Sequence, residues 1–136
     1  MRHPVLFGYQ LLTGLSDAST GALLIVVPGM TLRLMHIQAP ADATPFLSFI
    51  GAFVLSVGLA CLYGAWLVYC GDQLSKLQTV WLLTAITRSA VAIFVVSAVI
   101  AGTLEPGWLT VAAFDGAFAL VQANGLRKGW LTDAAR

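Results

Sequence analysis

The sequence predicts an all-α membrane protein, an antiparallel four-transmembrane-helix bundle with one longer extracytoplasmic loop. Of the 136 residues, 59% are hydrophobic and only 10% are charged, whereas soluble domains carry about 25% charged residues. The apolar residues fall into four long segments. Each is near the ~20 residues with which a helix crosses a hydrocarbon core of ~30 Å. We therefore expect a single transmembrane domain over residues 1–136.

The four predicted helices follow one another with little sequence between them. They cover about residues 5–27, 46–69, 77–102 and 108–126. The connections CGDQLSK and GTLEPG are short turns, which make successive helices antiparallel neighbours. The stretch from Pro28 to Pro45, PGMTLRLMHIQAPADATP, forms the one longer loop.

The basic residues predict the orientation of the bundle. Four spans place both termini on the same side of the membrane. Arg33 lies on the opposite side, against five basic residues on the side of the termini: Arg2, Lys76, Arg127, Lys128 and Arg136. Because positively charged loops stay in the cytoplasm, we expect a multi-pass protein of the cell inner (plasma) membrane with N- and C-termini cytoplasmic.

Arg88 lies near the midpoint of the third predicted span, where a charge is unfavourable. A charged side chain at the centre of a bilayer costs about 2.5–3.5 kcal/mol on insertion scales. Asp17 and Asp115 lie near the midpoints of the first and fourth spans. In an antiparallel bundle these depths match, and a guanidinium has five donors with which to hold a carboxylate on each side. The sequence therefore predicts a buried cluster of Asp17, Arg88 and Asp115.

Threonine and glutamine side chains lie one or two helical turns from these charges, on the same helix faces. Together with the charged cluster they are the predicted binding residues: Asp17, Arg88, Asp115, Thr13, Gln10, Thr84 and Gln122. Intramembrane ionisable residues often mark substrate or proton pathways. Paired polar residues also serve in some bundles only to fix helix register, so binding and structural roles both stay open.

No catalytic or metal-binding motif accompanies the cluster. The sequence contains no Ser/His/Asp arrangement, His-x-x-x-His, CxxC, GxGxxG or Walker loop, the patterns that indicate common catalytic or cofactor chemistry. Cys61 and Cys70 lie on one predicted helix, about 13 Å apart along its axis, and so cannot form a disulfide with each other. We predict no catalytic residues and no metal site. The sequence identifies no cofactor, and these absences favour a protein that is not an enzyme.

The second predicted helix carries the stretch FIGAFVLSVGLACLYGAW, residues 49–66. Its glycine spacing resembles the G-x-x-x-L-x-x-G-L segment of the DoxX-like group of small four-helix bacterial inner-membrane proteins. The resemblance implies an inner-membrane protein that, in some members of the group, is an accessory to membrane electron-transfer enzymes. It implies no catalytic residue in this chain.

Several functions stay open after these observations. The sequence most favours an accessory or assembly subunit, which would bind a membrane-protein partner. The alternative is a binder or carrier of an amphipathic small molecule such as a lipid or quinone, or a proton-linked transporter acting as a homo-oligomer, because four helices are few for a transporter. The lipid bilayer is a partner in each case. A net charge of +1 gives no reason to expect nucleic acid.

Overall fold

The computed structural model describes residues 3–38, 41–71 and 74–133. These residues form six α-helices and two short 3₁₀ segments, with no strand among them. The α-helices are α1 (Pro4–Val26), α2 (Pro28–Leu34), α3 (Thr44–Cys70), α4 (Leu74–Ile100), α5 (Leu109–Arg127) and α6 (Trp130–Asp133). The 3₁₀ segments are Ala41–Ala43 and Pro106–Trp108.

The predicted four-transmembrane-helix bundle is wrong. Within the described ranges, three helical stretches are long and apolar enough to cross a membrane: Thr44–Cys70, Ser75–Ile100 and Pro106–Arg127. Helix α1 is long enough, but the stretch SDAST at residues 16–20 interrupts its apolar sequence with four polar side chains, each of which opposes insertion. The chain is a membrane protein with three candidate spans. The predicted orientation assumed an even number of spans, and that assumption does not hold.

The chain divides into two compact units, Met1–Cys70 and Gly71–Arg136. The first contains α1, α2 and α3, and the second contains α4, α5 and α6. In each unit the two longest helices pack against each other. Each unit thus has a long helical hairpin as its body.

Glycines bring α1 and α3 into close contact in the first unit. A Cβ atom added to Gly51 would lie 2.8 Å from the carbonyl oxygen of Gly21. One added to Gly58 would overlap the backbone of Ala18. The contacts run in opposite directions along the two helices, so α1 and α3 are antiparallel. Because these glycines have no side chain, the two backbones approach closely and gain van der Waals contacts along their length.

The longer loop predicted between the first two helices contains α2 and a 3₁₀ segment. Pro28 begins α2, where its missing N–H group leaves no helical hydrogen bond unmade. After α2, His36 adopts a left-handed φ of 56°. The turn lets the N–H of Ile37 donate to the carbonyl oxygen of Leu32 at 2.9 Å. Both of these apolar side chains are buried, and α2 packs against α1 and α3.

The α4–α5 hairpin of the second unit is also packed along its length. Gly102 follows α4 with a φ of 71°, which a residue with a Cβ rarely adopts, and the chain turns there towards α5. Near the other end of the hairpin, the buried Trp81 of α4 lies against Gly125 of α5, where an added Cβ would overlap the indole ring. Gly116 of α5 lies beside Ala92 of α4, so these two helices are antiparallel as well.

Replacing Gly58 by alanine is expected to lower the melting temperature of the detergent-solubilised protein. The new methyl group overlaps the backbone of α1 at Ala18, and overpacking of this kind typically costs about 1–3 kcal/mol. Gly8→Ala is the matched control, because Gly8 lies in α1 and nothing is within 4 Å of its added Cβ. Equal melting temperatures for the two variants would contradict the close contact of α1 with α3.

Candidate functional site

An ion pair joins α4 to α5 in the apolar part of the second unit. Nη1 of Arg88 donates a hydrogen bond to Oδ1 of Asp115 at 2.7 Å. Arg88 lies near the middle of α4, far from either end of that candidate span. Its side chain is only 2% exposed, whereas that of Asp115 is 20% exposed. Hydrogen bonds between ionised groups are roughly twice as strong as neutral ones, so this contact compensates for the burial of the arginine.

An aromatic ring covers the guanidinium on one side. Cζ of Arg88 lies 5.0 Å from the centroid of the Phe118 ring, within the ~6 Å over which a cation is attracted to an aromatic face. Phe118 follows Asp115 by three residues on α5, so both side chains lie on the same helix face. The guanidinium therefore contacts a carboxylate and an aromatic ring from the same helix.

A second polar contact lies one helical turn away along α4. Nε2 of Gln122 donates to Oγ1 of Thr84 at 2.9 Å, and the Thr84 hydroxyl donates to the carbonyl oxygen of Val80 at 2.7 Å. Both side chains of the first contact are buried. Oε1 of Gln122 has no hydrogen-bond partner among the residues that the structure describes. The two contacts together form a polar ladder between α4 and α5.

Four of the seven predicted binding residues therefore pair within the second unit, Arg88 with Asp115 and Thr84 with Gln122. The sequence placed each pair at related positions, but it did not indicate the bond between threonine and glutamine. Phe118 was also missed. Its spacing of three residues from Asp115 was the available signal, because this spacing places a side chain on the face of α5 that carries the aspartate.

The other three predicted residues, Gln10, Thr13 and Asp17, lie on α1 in the first unit. Gln10 and Thr13 are 0% and 1% exposed, and Asp17 is half-buried. The Thr13 hydroxyl donates to the carbonyl oxygen of Tyr9 at 2.9 Å, a bond within its own helix. In the described part of the chain, neither amide atom of Gln10 has a hydrogen-bond partner. The meeting of Asp17 with the ion pair stays a prediction.

These groups can donate and accept hydrogen bonds, and the carboxylate can in addition carry a proton. The second unit presents a guanidinium, a carboxylate, a hydroxyl and an amide beside an aromatic ring. Among the described residues, no group of three or more His, Cys, Asp or Glu side chains is placed to hold a metal ion. A few polar groups in apolar surroundings are typical of sites that orient a small molecule.

No family model, curated protein or solved structure matches the chain. The resemblance of residues 49–66 to DoxX-like proteins therefore stays a prediction. The function has to be inferred from the chemistry of the site.

Replacing Arg88 by methionine is expected to reduce the stability of the protein in detergent by about 3–5 kcal/mol, because the Asp115 carboxylate then stays buried without its partner. Asp115→Asn should cost less, since the amide oxygen still accepts from the guanidinium. The double variant Arg88→Met/Asp115→Leu should recover much of the loss, because no charge remains in the apolar hairpin. Thermal unfolding measures all three, and losses that simply add in a double-mutant cycle would contradict the pairing.

Proposed function

We propose that the protein binds an amphipathic small molecule, such as a lipid or a quinone, with its polar head beside Arg88 and Asp115. The observation that carries this proposal is the unequal burial of the ion pair. Asp115 is 20% exposed while Arg88 is 2% exposed. Hydrocarbon cannot hydrogen-bond to a carboxylate, so a carboxylate that remains accessible in a spanning helix favours a polar ligand group or water at that position.

The surroundings of the ion pair suit such a ligand. The ring of Phe118 lies against the guanidinium and provides apolar surface next to the charges. Ala112 and Ala119 are small residues that lie three before and four after Asp115 on α5, on the same helix face. Small-molecule sites generally combine a mostly apolar wall with a few polar groups that orient the ligand. The ion pair would hold the head of the ligand while the apolar wall contacts its body.

An accessory or assembly subunit of a membrane complex is the second candidate. The observation in its favour is an exposed row of phenylalanines on α3, at positions 46, 49 and 53. The rings of Phe49 and Phe53 meet edge to face with centroids 5.0 Å apart. A partner helix could pack against this row, and co-purification of a larger complex would favour this role. A proton-linked transporter acting as a homo-oligomer stays a prediction.

We also propose that the protein lies in the inner (plasma) membrane with the basic end of the α4–α5 hairpin in the cytoplasm. Lys76 near the start of α4 and Arg127 and Lys128 at the end of α5 are exposed at this end. The connection between the helices, residues 101–108, contains Glu105 and no basic residue. The excess of lysine and arginine in cytoplasmic segments supports this orientation. The cytoplasmic position of the N-terminus stays a prediction.

Asp115→Asn is expected to reduce the lipid or quinone that co-purifies with the protein by about tenfold or more. Hydrogen bonds to a charged group contribute about 1.5–3 kcal/mol, and each 1.4 kcal/mol is a factor of ten in affinity. Mass spectrometry of solvent extracts measures the bound molecules, and helical circular dichroism checks that each preparation is folded. Arg127→Gln, which removes an exposed charge, is the control and should retain the ligand. The absence of any bound amphipath from the parent protein would contradict the binding function.

Single cysteines test the orientation of the second unit. In a background of Cys61→Ala and Cys70→Ser, an impermeant thiol reagent added to intact cells should label Thr103→Cys but not Lys128→Cys. Permeabilised cells should show labelling of both variants, which controls for the reactivity of each thiol. Labelling of Lys128→Cys alone in intact cells would reverse the proposed orientation.

A further inference from the structure

Gln122 carries a buried hydrogen-bond acceptor without a donor. Its side chain is 0% exposed, and Oε1 has no partner within the described part of the chain. Its Nε2 atom, by contrast, donates to Thr84 at 2.9 Å. A buried polar atom that has lost water and gained no partner is unfavourable. The described residues therefore supply no donor to this one buried atom.

The neighbouring threonine determines which amide atom lacks a partner. A hydroxyl has a single hydrogen to donate, and that of Thr84 is directed at the carbonyl oxygen of Val80 at 2.7 Å. Oγ1 of Thr84 is thus available to Gln122 as an acceptor, and the amide must face it with its NH₂ group. A flipped amide could accept from Thr84 only if that hydroxyl gave up its bond to Val80, and it would leave both N–H donors of the amide unpaired. The atom that needs a partner is therefore the oxygen.

We infer that the ligand of the proposed site donates an O–H hydrogen bond to Oε1 of Gln122, which makes it a hydroxyl-bearing amphipath. This inference rests on the proposed binding function. Quinones and simple esters offer only acceptors and leave the amide oxygen unpaired, whereas a quinol, a phenol or an alcohol head group provides the donor. An ammonium donor fits less well, because it would add a second cation near Arg88.

The positions of the polar groups agree with one ligand head touching both contacts. Thr84 and Arg88 are four residues apart on α4, about 6 Å along the helix axis, and Asp115 and Gln122 are seven residues apart on α5, about 10 Å. On α5, Phe118 lies between Asp115 and Gln122 on the same face. A head with a hydroxyl at Gln122 and a second polar atom at the ion pair would pass beside the Phe118 ring. An aromatic hydroxyl compound suits that path because it can also pack against the ring.

A buried water molecule offers the same O–H chemistry to Gln122, and a matched pair of compounds distinguishes the two sources. We would measure binding of a 4-alkylphenol and of its methyl ether to the full chain in detergent by equilibrium dialysis with mass-spectrometric detection. The compounds share ring and tail and differ in one O–H donor. If the ligand supplies the donor, the phenol should bind about tenfold more tightly than the ether, the factor that one net hydrogen bond provides.

Gln122→Met is the decisive variant, because methionine has a similar length and brings no unpaired acceptor. This variant should fold, with a melting temperature no lower than that of the parent, and should bind the phenol as weakly as the ether. Asn124→Met is the control: it changes an exposed residue of the same helix and should keep the tenfold preference. A preference for the phenol that survives in Gln122→Met would overturn the assignment to Gln122.

Equal binding of both compounds by the parent protein, lost in Asp115→Asn, would overturn the requirement for a ligand hydroxyl while the binding function stands. Water would then be the donor to Gln122. Binding of neither compound would also overturn the inference. If the parent protein in addition carried no co-purifying amphipath, the proposed binding function would fail with it.

Discussion

The charge of Arg88 in the middle of an apolar helix is the constraint that organises the second unit. An unpaired guanidinium is unfavourable in hydrocarbon, so the carboxylate of Asp115 has to lie opposite it, at the observed 2.7 Å. A slip of one residue along α5 would rotate the aspartate by about 100° around the helix and away from its partner. The register of α4 against α5 follows, and with it the positions at which Thr84 meets Gln122.

The first unit sets the register of its helices by shape. Gly14 and Gly21 lie seven residues apart on α1, and Gly51 and Gly58 lie seven apart on α3, a spacing of nearly two turns that puts each pair on one face. A Cβ on Gly14 would lie 2.8 Å from the backbone nitrogen of Leu62. Van der Waals attraction acts only at short range, so the helices gain most in the one alignment in which these flat positions coincide. Helix register is thus fixed by a charged pair in the α4–α5 hairpin and by close packing in the α1–α3 hairpin.

The sequence predicts features that depend on one helix at a time better than features that depend on how two helices face each other. The need of Arg88 for a carboxylate, and the match in depth with Asp115, follow from composition and helix length alone. The count of spans did not follow, because the length of the first segment was weighed above the polar run at residues 16–20. The contact of Thr84 with Gln122 depends on which faces of two helices meet, and the period of a single helix does not contain that information. Phe118 was missed because an aromatic residue in a membrane segment is usually an apolar surface residue.

Stability alone does not account for Gln122. Polar contacts between membrane helices contribute about 0.6 kcal/mol on average, while a buried acceptor left without a donor costs about 1–3 kcal/mol. Without a donor from water or a ligand, its single bond to Thr84 would be outweighed by the unpaired Oε1, and an apolar residue of similar size would make a more stable hairpin. Residues that break a local rule of packing without compensation tend to lie at functional sites. Gln122 belongs to the same ladder as the ion pair, so the donor that its Oε1 requires, a ligand hydroxyl in our proposal or else a water molecule, would lie at that polar ladder and not on the lipid-facing side of α5.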